Sequence, residues 1–260
     1  MTTRPWLIFG ASGQVGTRVL ARCAAAGQTT LALSRQPRKQ PSTQAGRWLG
    51  ARLPDAVPPL PPVDAVLSLG PLDLFAEWLG NWQPDSDAPR IIALSSMSAA
   101  SKAGSAHAGE RALAARMRHA EHALAARCDD LGLPWTLLRP TMLWGGGTDR
   151  TLSRLAHLAM RWHVVPQPDA RGLRQPLHVD DLAAAVIAAV HRNPARGHCI
   201  ECGGGERLTV SELFQRVRAS AARRSVAIPV PALAPRGAAR LARCSRDAAA
   251  ITTTATQLLA

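Results

Sequence analysis

Three glycines at three-residue spacing, Gly10, Gly13 and Gly16 in IFGASGQVGTRV, follow an apolar run and precede a helical pattern. Such a turn cradles phosphate: Gly10 supplies the positive φ of a sharp strand-to-helix turn, Gly13 lets backbone N–H groups approach a pyrophosphate, and Gly16 lets helix and strand pack closely. The helix N-terminus, with Ser12, Gln14 and Val15 around it, then faces the anion. One strand later stand Ser34 and Arg35, followed by Arg38 and Lys39, where an acidic residue would bind the ribose hydroxyls of NAD. A guanidinium there favours a 2′-phosphate, because its planar fork pairs with phosphate oxygens. The expected cofactor is therefore NADP, with NAD possible; Arg35 is the selector, with Ser12, Arg38 and Lys39 as helpers. Leu69-Gly70 and Pro140-Thr141, each past the end of a further apolar strand, are expected to complete the cofactor contacts.

Ser95 and Ser96 close another apolar strand, where they could position or polarise an acceptor; capping the strand end is the competing role for both hydroxyls. His178 and Asp181 in PLHVDDLA suggest a dyad, but Asp181 reads as the N-cap of a helix over 182–191 and His178 as a strand residue. His119 and His122 fall on the charged side of a helix, and with His107 they make poor acids. Cys199 and Cys202 lie in a strand, where i and i+3 point to opposite faces, and no second pair completes a zinc site. No metal is expected.

The elements that must position these residues follow from the apolar pattern. Strands are expected over 6–9, 29–33, 48–53, 65–69, 91–95 and 135–138, with a proline-rich loop over 54–62. The first helix carries Val15, Val19, Leu20 and Cys23 on one face and stops at Gly27. Trp78 and Trp82, at i and i+4, read as packing residues of the next helix. An alanine-rich helix over 110–127 is expected to present Leu113, Met117, Leu124 and Cys128 to the core, with its charged residues outside.

At 260 residues and 47% apolar content, the chain can bury a full core as one large domain or one with an added lobe. The opening apolar run is too short for a signal peptide, and the run over 182–190 is too short to span a bilayer. These features point to the cytoplasm. An odd five cysteines fit reduced thiols better than a disulfide framework. The formal charge of +13 is carried by arginine, since the only lysines are Lys39 and Lys102. A basic surface attracts anions, but the arginines are dispersed and no nucleic-acid motif interleaves them, so nucleic acid is an unlikely partner.

GASGQVG after the first strand, ALSS after the fifth, LRPTMLWG after the sixth, then PLHVDDLAAAV and GGGERLTVSEL, together resemble the extended and atypical short-chain dehydrogenase/reductases of the NAD-dependent epimerase/dehydratase type. The likeness runs over residues 6–231. It implies an α/β fold: a Rossmann-type doubly wound parallel sheet with helices on both faces and a small C-terminal lobe. On that pattern residues 1–145 form the NADP-binding core and 146–260 mostly the lobe, interleaved with the core around 173–203.

The chain departs from this family in three places. It has no tyrosine, and the positions of the family's Tyr-x-x-x-Lys pair, counted back from Glu121, hold Leu113 and Met117, which cannot titrate. Lys102, in a flexible SKAGSAHAG loop, is no obvious replacement. The acid that the family places near the adenine is Ala51 or Arg52 here, and the stretch 236–260 matches nothing in the pattern. Two functions follow from the resemblance: an NADP-dependent oxidoreductase or epimerase-like relative that works without the tyrosine, or a non-catalytic NADP(H)-binding redox sensor or assembly subunit of the NmrA-like type.

Overall fold

The computed structural model describes residues 4–37, 46–84, 88–149, 151–192, 197–220 and 225–230. Arg38, Lys39, Cys244 and the stretch 236–260 lie outside them. The chain divides into two compact units, Met1–Thr141 with Val179–Cys202, and Met142–His178 with Gly203–Ala260, where the sequence pattern placed its divisions at 145 and around 173–203.

The first unit contains β1 (Trp6–Phe9), α1 (Gln14–Ala25), β2 (Thr30–Ser34), β3 (Gly46–Gly50), β4 (Ala65–Ser68), α2 (Leu72–Asn81), β5 (Arg90–Leu94), α3 (Ser98–Ser101), α4 (Ala108–Asp130) and β6 (Trp135–Pro140). After β7 (Leu143–Trp144), α5 (Leu152–Trp162), β8 (Val164–Pro168), β9 (Leu173–Arg174) and β10 (Leu177–His178) of the second unit, the chain returns to the first with α6 (Val179–His191) and β11 (His198–Cys202). It ends, among the described residues, with β12 (Leu208–Thr209), α7 (Val210–Ser220) and β13 (Val226–Val230).

Seven strands form one parallel sheet in the order β11-β6-β5-β4-β1-β2-β3. A sheet covered on both faces buries every position, so β1, β2 and β4 are continuous buried runs without alternation, apolar but for the small Thr30, Ser34 and Ser68 at their ends. Leu7, Phe9, Val66, Ile91 and Leu137 join α2 and α4 in one core cluster. The alternate residues Ile8, Ala32, Leu67 and Ile92 point to the other face and are equally buried, and there α1 packs beside α6. Full burial of a leucine or isoleucine side chain stabilises by about 2 kcal/mol, so these strands anchor the unit.

Helix ends follow local chemistry. Gln28 N–H donates to Cys23 O (2.9 Å) and Gly27 N–H to Ala24 O (3.1 Å), a closure that requires Gly27 at φ 67° and stops α1 where the sequence predicts. Trp78 and Trp82 stack at 5.1 Å, and Trp78 also touches Phe9 and Phe75, so both tryptophans serve the core. The third strand ends at Gly50 and not at Leu53, because residues 52–56 fold into a tight turn closed by Arg52 N–H to Ala56 O (2.7 Å) and Ala56 N–H to Arg52 O (2.9 Å). The sixth helix begins at Val179, so Asp181 is an exposed first-turn residue and not the N-cap; acids suit either place beside a helix N-terminus.

The second unit has its own core of Leu155, Ala159, Val165, Val210 and Phe214. Its α7 is capped reciprocally: Glu212 accepts from Thr209 N–H (2.7 Å) and donates its own N–H to Thr209 Oγ1 (3.1 Å). Among the described residues no helix is long and apolar enough to cross a membrane.

Candidate functional site

The chain runs β1-β2-β3 one way across the sheet and β4-β5-β6 the other, which puts a switch point between β1 and β4. Crevices for ligands open at the carboxyl ends of strands at such a point. The glycine turn sits there. Gly10 has φ 71°, and a methyl group added to it would come within 2.8 Å of the Gly70 nitrogen. Gly16 lies so close under the turn that an added methyl would meet Ala11 Cα at 2.6 Å. Gly13 donates its N–H to Gly10 O (2.9 Å) and is the N-cap of α1, which has no side-chain cap and no acid in its first turn. Its leading N–H groups and the positive end of its dipole are thus left for an anion.

Beside this turn opens a cleft of about 780 Å³, within the range of small-molecule sites. Gly10, Ser12 and Gly13 form one wall, Leu33, Ser34 and Arg35 a second, residues 51–56 a third, and Leu69, Gly70, Pro71 and Leu74 a fourth. Seven of the expected cofactor contacts therefore share one cavity: Gly10, Ser12, Gly13, Ser34, Arg35, Leu69 and Gly70. Ser34 Oγ accepts from Gln36 N–H (3.1 Å), a turn that holds the exposed Arg35 at its bend. Gln14, Val15 and Gly16 do not line the cleft. Val15 and Gly16 are packed beneath it, and Gln14 keeps a buried Oε1 with no hydrogen-bond partner among the described residues. Pro140 and Thr141 end β6, away from this cavity, with Thr141 N–H donating to Cys202 O (2.9 Å).

Ala51 and Arg52, the positions where the family places an acid near the adenine, also line the cleft, but sequence reasoning missed the turn over 52–56 that brings Asp55 beside them. A Pro-Asp pair after a strand is a turn signal that could have revealed it.

A second constellation lies at the ends of β5 and β6. Ser95 Oγ donates to Glu121 Oε1 (2.5 Å), and Arg139 grips the same carboxylate with Nε (2.8 Å to Oε1) and Nη2 (2.6 Å to Oε2). Glu121 is only 3% exposed, so the helix does not keep all its charges outside as its pattern suggested. A carboxylate can be buried when a bidentate guanidinium and a hydroxyl satisfy it. Burial pushes the Glu121 carboxyl up, but the hydrogen bonds from Arg139 and Ser95 outweigh it and hold the group below its ordinary range. Ser96 Oγ accepts from Ser98 N–H (3.1 Å) and so bends the chain into α3. Leu124 and Cys128 are buried as expected, while Met117 and Leu113, one and two turns before Glu121 along the same side, are half-buried.

Glu121→Ala should therefore leave a guanidinium in a partly dry site without its partner, at a cost of about 3 kcal/mol, the lower end for buried pairs because the Arg139 side chain keeps 22% exposure. The melting temperature should fall by roughly 10 °C. Because the folded carboxyl titrates below its unfolded value of about 4.3, this stabilisation is complete above that pH and is lost as pH falls through the lowered value. Thermal melts of wild type and variant from pH 7 to 3 should converge at the acid end. Curves that stay parallel throughout would remove the ion pair from the account.

The remaining candidates are placed as follows. Lys102 is paired with Glu110 (2.5 Å), which also accepts from Ser105 (2.6 Å), and Arg111 donates to the carbonyls of Ser105 and Ala106, so the loop expected to be flexible is cross-linked. His107, His119 and His122 are exposed. His178 stacks edge-on with Trp144 (4.7 Å) within the second unit, above Gly145, where no side chain would fit. Cys23 and Cys128 are buried, which pushes their thiols up to about 11 and about 12 respectively. Cys199 is exposed and Cys202 half-buried, so the outer strand's thiols are not all hidden.

A comparison with protein-family models and with curated proteins returned no match. Solved structures do match. Epimerase Mth375 from Methanothermobacter thermautotrophicus is 15% identical over 87% of this chain and 80% of its own, with a TM-score of 0.67. MoeE5, solved in complex with UDP-glucuronic acid and NAD, is 19% identical over 87% and 85%, with a TM-score of 0.67. UDP-N-acetylglucosamine 4-epimerase from Bacillus cereus is 17% identical over 88% and 86%, with a TM-score of 0.65. The fold of this chain is the α/β Rossmann-type fold of these proteins, with a seven-stranded parallel sheet at its centre.

Proposed function

We propose that the chain binds NADP(H) in the cleft beside the glycine turn and is an NADP-dependent oxidoreductase, or an epimerase-like relative, that works without the tyrosine. The observation that carries this reading is the convergence on one cavity of an uncapped helix N-terminus, the Gly10 and Gly13 backbone and the Arg35 guanidinium. The fit is steric as well as electrostatic, since the cradle leaves no room for a side chain at Gly10. NAD in the neighbouring MoeE5 structure supports a nicotinamide dinucleotide here, and Arg35 supports the phosphorylated form. Bound, the nicotinamide would supply the hydride. The chain's own residues bind and orient: the turn holds the pyrophosphate, Arg35 with Ser12 and Ser34 holds the 2′-phosphate, and Ser95 and Ser96 stand at the end of β5 as the groups nearest to an acceptor role.

Arg35→Ala is expected to remove most of the preference for NADPH over NADH, about ten- to a hundredfold in affinity, since one charge-assisted pair to phosphate contributes roughly 1.5–3 kcal/mol. Calorimetric titration with both nucleotides measures it. Equal affinities in the wild type would rule out Arg35 as selector.

A second reading rests on the site at β5. Ser95 spends its proton on Glu121, Ser96 accepts from the backbone, and the chain has no phenol, so no acid stands ready there. That supports a non-catalytic NADP(H)-responsive protein whose occupancy biases partner binding. Incubation with NADPH and a panel of carbonyl, quinone and flavin acceptors, followed at the absorbance of the reduced nicotinamide, separates the two. Consumption of NADPH supports the enzyme; binding without consumption supports the sensor.

A further inference from the structure

We infer that Arg52 is a second specificity-determining residue of the cleft, forming with Arg35 a two-guanidinium clamp on the 2′-phosphate of NADP(H). The inference rests on the NADP-binding reading above and adds a residue that the glycine turn and the β2 terminus do not predict.

The geometry begins with register. Parallel strands β2 and β3 pair Ser34 with Gly50, and Ala51 N–H donates to Ser34 O (3.0 Å), so the ladder continues one residue past both strand ends. Arg35 then leaves β2 level with Ala51, and Arg52 follows immediately, on backbones about one strand spacing, ~4.8 Å, apart. Two local devices keep them together. The Ser34 hydroxyl holds Gln36 N–H and bends the chain just after Arg35, and the Pro37 ring folds back over β3, where an added methyl on Gly50 would touch its Cγ at 3.6 Å. On the other side, the paired backbone bonds between Arg52 and Ala56 fix the start of the turn. Both side chains are exposed and both line the same cleft, and among the described residues neither guanidinium is in an ion pair.

The turn also decides which of its groups are available. Arg52 N–H and Ala56 N–H are committed to each other's carbonyls, so at these two positions the backbone is closed to a ligand. What residue 52 offers the cleft is its side chain. A dianionic 2′-phosphate has three oxygens, more than one guanidinium fork can saturate, and a second fork from the neighbouring strand end meets the remainder. Two arginines at one rim thus share the grip unequally, with Arg35 carrying the larger part. Loss of either should weaken the grip, and loss of both should remove discrimination.

The test uses the full chain, with NADPH, NADH, 2′,5′-ADP and 5′-ADP as probes in calorimetric titrations of wild type, Arg52→Ala, Arg52→Lys and Arg35→Ala/Arg52→Ala. Arg52→Ala should weaken NADPH and 2′,5′-ADP by roughly tenfold while leaving NADH and 5′-ADP within about twofold. Arg52→Lys should fall between wild type and alanine, since a point charge replaces a fork. The double variant should bind the two dinucleotides alike. Equal weakening of NADPH and NADH by Arg52→Ala would mean that Arg52 lies against the base and would overturn the clamp, as would no change in either. A wild type that favours NADPH, with Arg52→Ala indifferent, sinks this inference alone; a wild type without preference sinks the NADP reading and the clamp with it.

Discussion

Gly13→Val is expected to abolish binding of NADPH and NADH while leaving the protein folded. An added Cβ at Gly13 meets one atom, Gly10 O at 3.2 Å, a contact that a shift of a few tenths of an ångström relieves. Its further methyls add bulk at the N-cap of α1, where a pyrophosphate must approach the backbone. The effect therefore falls on ligand and not on fold. The control is Gly16→Val, whose side chain would have to enter the turn itself, against Ala11 Cα at 2.6 Å, and should unfold the protein. Circular dichroism alongside nucleotide titration separates the outcomes. Unchanged affinity in a folded Gly13→Val protein would show that the turn is structural only.

Leu113→Tyr with Met117→Lys is expected to raise carbonyl reduction by NADPH by roughly a hundredfold or more, the scale of a restored proton donor. The pair stands at i and i+4 on one side of α4, and both positions are half-buried, so larger polar groups fit without opening the core. The hydrogen bond from Ser95 to Glu121 places this side of the helix next to the end of β5, one to two turns from the two substituted positions. A gain would mean that the scaffold still orients donor and acceptor and that only proton transfer was missing. If wild type and double variant both bind NADPH yet consume none with any acceptor, the sensor reading replaces the enzyme.

The parts of the molecule legible in its residues are those governed by local chemistry. The glycine turn, the end of α1 at Gly27 and the buried strands each depend on a few adjacent side chains, and they formed as read, with β2 shifted by one residue to Thr30–Ser34. What could not be read depends on partners distant in sequence. Glu121 looked like any solvated charge on an alanine-rich helix, because Arg139 and Ser95 that bury it lie 18 residues later and 26 earlier. The β3 end failed for a different reason: Arg-Leu after an apolar run continues a strand pattern, and only the paired backbone bonds from Arg52 to Ala56 show the chain turning back. The resemblance set Ala51 or Arg52 near the adenine, but that the chain turns back there and brings Asp55 to the same cleft was invisible until the turn was seen.

The buried grip of Arg139 and Ser95 on Glu121 also sets the phase of α4. Each residue of an α-helix advances about 100°, so a helix pinned at one point assigns the facing of every position before it by counting alone. Positions 117 and 113, four and eight residues upstream, keep their side only while that count holds. Deleting one residue between 113 and 121 would leave the pin intact and the helix docked, yet swing everything before it by about 100°. The ion pair thus works as the zero mark of a ruler: the helix can exchange side chains freely at 113 and 117, but it cannot change its length there without losing its aim.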